Sequence, residues 1–215
     1  MFLKTVLCLL FVGFSLASQG QFKPGYYYDN NNIKVTGLIK FRQRAELFPD
    51  KSDGVCDILF KENADAKRIK FTTRDINSFV VGSDSFIVLK NFPIDQYVHF
   101  RQDFVEVIIT GKINLYRYYN FDPTAQRIVG IWLIEKNRHI EYLTKARFKH
   151  FFKKSIINDS PETLQLIEVK KLKYRDLPEI IQQYNKEEQK RKQGVDQRPK
   201  QVSVTFLSLF SFIIT

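Results

Sequence analysis

The side chains that could carry chemistry in this 215-residue chain are few and scattered. His99, His139 and His150 are the only histidines, and they stand far apart in the sequence. They form no His-x-x-x-His pair and no local metal-ligand cluster. No Gly-rich phosphate loop or nucleophile elbow occurs. Asp103 and Glu106 alternate with apolar residues, which reads as the solvent face of a strand. A general acid–base site would therefore have to be assembled from distant carboxylates together with His139, which sits in an apparent strand beside a hairpin loop. A deep cleft gathering His99 or His139 with two acids would be its signature, and a filled core without one would be that of a binding module. No metal and no cofactor is implied.

Charge offers a second kind of chemistry. The 34 Lys+Arg exceed the 23 Asp+Glu, giving +11, and this favours anionic partners over cationic ones. The densest run is Lys145-Ala-Arg147-Phe-Lys149-His150-Phe-Phe-Lys153-Lys154. Its cations suit contact with an anionic surface through Lys145, Arg147, Lys149, Lys153 and Lys154. The plainer reading is an amphipathic helix that buries Phe148, Phe151 and Phe152 and solvates its lysines. Lys170-Lys171-Leu-Lys173-Tyr-Arg175 reads as a solvated connector. The aromatic runs Tyr26-Tyr27-Tyr28 and Tyr116 to Phe121 could stack on a sugar or peptide, and ordinary β-core packing accounts for them equally well.

The N-terminus bears on where this chemistry would operate. Lys4 gives a positive n-region, Val6 to Leu16 an apolar h-region, and Ala17, Ser18 and Gly20 the small residues of a signal-peptidase cut. Cleavage after Gly20 leaves Gln21 as the new terminus. The apolar stretch is shorter than a bilayer span, which takes about 20 residues. Export removes Cys8, so Cys56 remains without an internal disulfide partner. Its neighbours Asp57-Ile-Leu-Phe60 make it a small half-buried strand residue rather than a nucleophile.

The elements that must position these groups are mainly strands. Ile33 to Phe41 alternates apolar and polar residues, with a slip at Gly37-Leu38 that predicts a bulge. Val55–Lys61 and Arg68–Thr72 flank a polar turn at Glu62–Lys67. Phe79–Val81 and Phe86–Leu89 flank Gly82–Ser85. Phe104–Ile109 and Ile113–Tyr119 flank Thr110-Gly111-Lys112. Ile128–Glu135 and His139–Leu143 flank Lys136-Asn137-Arg138. Hairpins without helical crossovers predict an antiparallel meander, either a curled sheet or a small barrel. After Thr144, a cap candidate, the period becomes helical. Ser160-Pro161-Glu162 and the capping box Asp176-x-x-Glu179 signal further helix starts.

The expected class is thus mainly β (α+β), ending in a short helical segment. The expected organisation is a signal peptide at 1–20, an extension at 21–32, a β domain at 33–143 and helices over 144–188. A charged linker follows at 189–201. The uncharged tail 202–215 reads as a terminal strand, a marginal membrane anchor, a lipid-anchor signal or an unrelated end.

The ordered pieces VTGLIKFRQ, RIKFTTRDINSFVV, FVEVIITGKINLYRYYNF, IWLIEKNRHIEYLTKARFKHFF and DSPETLQLIEVKKLKYRDLPEIIQQYN resemble an uncharacterised family of exported β-rich proteins of Bacteroidota-type bacteria. The resemblance spans Ile33 to Asn185 and implies a β domain followed by a short helical end. It brings no activity or site residues with it, and the apolar tail after Pro199 departs from the pattern.

These observations favour an exported, non-catalytic module bound to a cell-envelope protein, a glycan or an anionic membrane surface, and they disfavour nucleic acid. The alternatives are an envelope-directed hydrolase built around His139 and a protein attached peripherally to a membrane through its tail. N-terminal sequencing of the exported protein should find a mature end between Ser18 and Phe22, whereas retention of Met1 would remove the basis for export.

Overall fold

The computed structural model of the chain describes residues 21–43, 54–155, 163, 165 and 173–196. Residues 1–20, with Cys8, Ser18 and Gly20, lie outside them, as do Ser160-Pro161-Glu162, Lys170-Lys171 and the tail at 202–215.

Ten strands form one antiparallel sheet. They are β1 (Lys23–Asp29), β2 (Lys34–Gln43), β3 (Cys56–Lys61), β4 (Ile69–Phe71) and β5 (Ile76–Val81), then β6 (Asp84–Pro93), β7 (His99–Ile109), β8 (Ile113–Asp122), β9 (Arg127–Lys136) and β10 (His139–Leu143). Their order is β10-β9-β8-β7-β6-β5-β1-β2-β3-β4, so the sheet is open, with β10 and β4 as its edges. The barrel alternative is not adopted. Strong curling nevertheless brings non-neighbours together: β2 against β8, β3 against β7, and β10 against β6.

Local chemistry explains the hairpins. Gly82 takes φ +62 between β5 and β6, a conformation that costs glycine nothing. The β9–β10 connection is a two-residue loop in which Asn137 and Arg138 both have positive φ, 53 and 66, as a type I′ turn requires. The bulge predicted at Gly37-Leu38 does not form: β2 pairs in regular register through both residues with β1, and Leu38 pairs with Lys61 of β3. Gly37 is needed for a different reason, since a Cβ there would lie 2.5–2.6 Å from the Phe60 ring.

Residues 21–32 differ from the expected extension. Lys23–Asp29 is β1, an interior strand paired with β2 and β5. The three consecutive tyrosines hid it, because an unbroken aromatic run shows no alternation. The pleat supplies that alternation instead: Tyr27 is buried against Phe60 and Phe71, while Tyr26 and Tyr28 pack edge to face, half-exposed.

Alternation on β8 and β9 divides the apolar residues between two clusters. Tyr116, Tyr118 and Leu133 join the core of the curled sheet with Phe79, Phe92 and Phe104. Ile113, Leu115 and Ile134 face the helices. Helix α1 (Lys145–Ser155) starts at Thr144, whose Oγ1 accepts the Arg147 N–H at 3.3 Å, and buries Phe148, Phe151 and Phe152 as its spacing predicted. A short 3₁₀ turn, Tyr174–Asp176, leads into α2 (Leu177–Asp196), which buries Leu177, Ile180, Ile181 and Tyr184. Asp176 is not the cap of α2. It closes the turn before it by accepting the Lys173 N–H at 2.8 Å, and the chain is already helical there. Helix α2 also runs to Asp196, past the expected linker start at 189, and there the charged residues pair along the helix, as Glu188 and Arg191 do at 2.9 Å.

Beyond this apolar packing, the Asn185 side chain latches helix α2 to the sheet. At Ile113 the ladder between β7 and β8 has reached its turn, and the Asn185 amide substitutes for the missing strand. Its Oδ1 accepts the Ile113 N–H at 2.9 Å and its Nδ2 donates to the Ile113 carbonyl at 2.8 Å. Asn185→Ala orphans both groups in a buried place and should cost about 2–4 kcal/mol in urea unfolding. Asn185→Asp keeps the acceptor and should fall between. Equal stability of all three proteins would show that the latch contributes nothing.

Candidate functional site

Two carboxylates expected on a solvated strand face are instead buried. Asp103 is fully inaccessible and Glu106 nearly so. Curling explains the difference, because it closes β3 over β7 and leaves water only a little of either face. The successive N–H groups of Val55 and Cys56 donate to Asp103 at 2.8 and 3.2 Å. The Phe104 N–H donates at 2.8 Å and the Tyr118 hydroxyl at 2.9 Å. Gly54, with φ +74, makes room for this backbone nest: a Cβ there would lie 2.5 Å from Asp103 Oδ1. Glu106 accepts the Tyr119 hydroxyl at 2.7 Å and lies 3.7 Å from the Arg117 guanidinium. Glu135 likewise holds Tyr116 and Asn114, at 2.7 and 2.9 Å. Tyr116, Tyr118 and Tyr119 therefore belong to buried or half-buried polar links.

Burial pushes the Asp103 carboxyl up to about 6, against the opposing pull of its four hydrogen-bond donors. Burial and the neighbouring Asp103 charge together raise the Tyr118 hydroxyl well above its ordinary value. Cys56 is buried beside this cluster, more deeply than expected. The group clamps β7 to the start of β3 and has no access to solvent, so it is a structural device.

An accessible site lies elsewhere. A polar cleft of about 940 Å³ opens between the β6–β7 connection, the β9–β10 hairpin and α1. Lys90 of β6, His99 of β7, Arg138 of the I′ turn, His139 of β10 and Arg147 of α1 all line it, and each is exposed. The cleft also holds Asp95 and Glu141. Asp95 caps its own turn, accepting the N–H groups of Tyr97 and Val98 at 2.6 and 2.7 Å. Glu141 Oε1 lies 3.2 Å from His139 Nε2, with the His139 side chain 75% exposed. The Arg147 guanidinium stacks 4.7 Å above the Tyr142 ring, which holds it at the cleft wall.

Of the residues marked from sequence, the cleft thus collects His99, His139 and Arg147. His150 and Lys145 are exposed on α1 and do not line it. Lys149, Lys153 and Lys154 belong to the same helix, and their side chains fall outside the described residues. Gln21 is exposed at the rim of a separate 400 Å³ pocket walled by Ile39, Phe41, Phe86 and Tyr119. Lys90, Asp95, Arg138 and Glu141 gave no signal as a set, because hairpins distant in sequence supply them. Among the described residues no group of three or more His, Cys, Asp and Glu could hold a metal ion. No described helix is long and apolar enough to cross a membrane.

Comparison of the chain with protein-family models, with curated proteins and with solved structures found no match. The fold and the cleft therefore define the molecule by themselves, as an open, curled ten-stranded sheet backed by helices, with a cationic cleft at one sheet edge.

The Asp103 clamp has a definite linkage sign. The folded state holds this proton more tightly than an unfolded chain, whose carboxyl titrates near 3.8. The contribution is therefore greatest below about pH 4 and is lost as pH rises through about 6, by about 3 kcal/mol in all. Because other carboxylates titrate in the same range, the measurement is the stability difference between the wild type and Asp103→Asn. That difference should move against the wild type from pH 4 to 7; a flat difference would show that Asp103 does not titrate there.

Proposed function

We propose that this protein is an exported, non-catalytic binding module of the cell envelope, and that its cleft receives anionic groups. The observation that carries this reading is the convergence of Lys90, Arg138 and Arg147 from three separate elements on one concavity of about 940 Å³. Cations gathered from a strand, a turn and a helix act on a ligand held between them and raise the local concentration of anions. Of the two carboxylates present, Asp95 is committed to its turn. Export rests on the Lys4, Val6–Leu16 and Ser18–Gly20 pattern, and kinship with exported β-rich proteins of Bacteroidota-type bacteria rests on the quoted segments.

A second reading has its own observation. The cleft gathers His99 and His139 with Asp95 and Glu141, the arrangement that a hydrolase acting on envelope material would need. The exposure of His139 weighs against it, since a general base gains from a site that excludes water.

Titrating the mature protein with polygalacturonate, and sedimenting it with phosphatidylglycerol vesicles, tests both readings. Binding to at least one polyanion is expected, weakening with added salt and falling about tenfold or more in Lys90→Glu/Arg147→Glu. Unchanged binding in that variant would remove the cleft from the account. Shortening of the glycan by the wild type but not by His139→Ala would replace the binding reading with the hydrolase.

A further inference from the structure

Besides its charged rim, the cleft is lined by four consecutive residues of strand β10, His139 to Tyr142. Among the described residues β10 pairs only with β9, so its other side meets no described strand partner. The two-residue turn Asn137-Arg138 makes His139 and Lys136 the hydrogen-bonded closing pair. Bonded and non-bonded pairs alternate from there, which leaves Ile140 opposite Glu135 and Tyr142 opposite Leu133 as non-bonded pairs. The N–H and C=O groups of Ile140 and Tyr142 therefore point away from β9, and both residues line the cleft. Two donors and two acceptors at strand spacing thus lie beside three cations, of which Arg147 is held on the Tyr142 ring.

We infer that the cleft takes an extended acidic segment of a partner protein, added as a further strand on the side of β10 away from β9. Strand addition satisfies the outward groups of Ile140 and Tyr142 through the partner's backbone. In an extended segment alternate side chains point the same way, so acids at every second position meet Lys90, Arg138 and Arg147. A glycan is less well matched, because the Tyr142 ring face on which a sugar would stack is covered by Arg147. A membrane is less well matched too, since a concave wall cannot lie on a flat surface. The inference rests on the cleft being the binding surface, and its test separates the two claims.

The probe is a pool of fluorescent octapeptides alternating Asp or Glu with Val or Thr, titrated into the mature protein by anisotropy. Two further pools carry backbone N-methyl groups on alternate residues, one pool for each phase. The unmodified pool should bind. One methylated phase should lose about tenfold or more, and the other should retain its affinity, because only one peptide edge faces β10. Ile140→Pro removes one outward N–H without touching the ladder to β9 and should weaken the unmodified pool similarly. The methylated pools decide the matter even if that variant does not fold. Equal binding of all three pools would overturn strand addition. Binding of polygalacturonate or vesicles without binding of any peptide would overturn the inference and leave the cleft as a polyanion site. Binding of neither peptides nor polyanions would overturn both.

Discussion

The Asp103 carboxylate holds together parts of the chain that the sheet ladder alone would leave apart. β3 and β7 are not neighbours in the strand order, yet the backbone at Val55 and Cys56 wraps the Asp103 side chain, and Tyr118 of β8 reaches the same group. Four donors on one buried carboxylate fix the curvature of the sheet at this point, and the curvature decides which faces become core. A second buried acid, Asp57, ties β2 to β3 and β4 by ion pairs with Arg42 at 2.7 Å and Lys70 at 3.3 Å. Such groups are costly to bury, so they stabilise one geometry more than they stabilise folding in general.

Within the curl, packing is aromatic. Phe79 stacks on Phe86 at 4.6 Å and meets Phe104 edge-on at 5.1 Å, while Phe92 and Phe100 close on Tyr118. Phe41 packs from β2 onto Phe86 of β6 and Tyr119 of β8 across the interior of the curl. Among the described residues β10 pairs with no strand but β9. The approach of β10 to β6 forms two walls of the cleft.

Much of the fold was legible because it rests on local rules. The hairpins at Gly82, Gly111 and Asn137-Arg138 were set by turn chemistry, and α1 by Thr144 and three phenylalanines at helical spacing. β1 was not legible, because Tyr26-Tyr27-Tyr28 shows no alternation. Nor was the burial of Asp103 and Glu106, because acids beside apolar residues look solvated until another strand covers them. Of the cleft, the sequence marks only His99, His139 and Arg147 as candidates, and nothing in their spacing ties the histidines to Arg147.

By itself, then, the sequence determined the β-rich class, the antiparallel connections, the helical end and the basic character, since each follows from period, turn residues and charge count. The open curl, the buried carboxylate clamp, the Asn185 latch and the meeting of Lys90, Arg138 and Arg147 around strand β10 were decided by tertiary structure. These depend on contacts between residues far apart in the chain, and such contacts are set by how far a twisted sheet bends before side chains fill its interior.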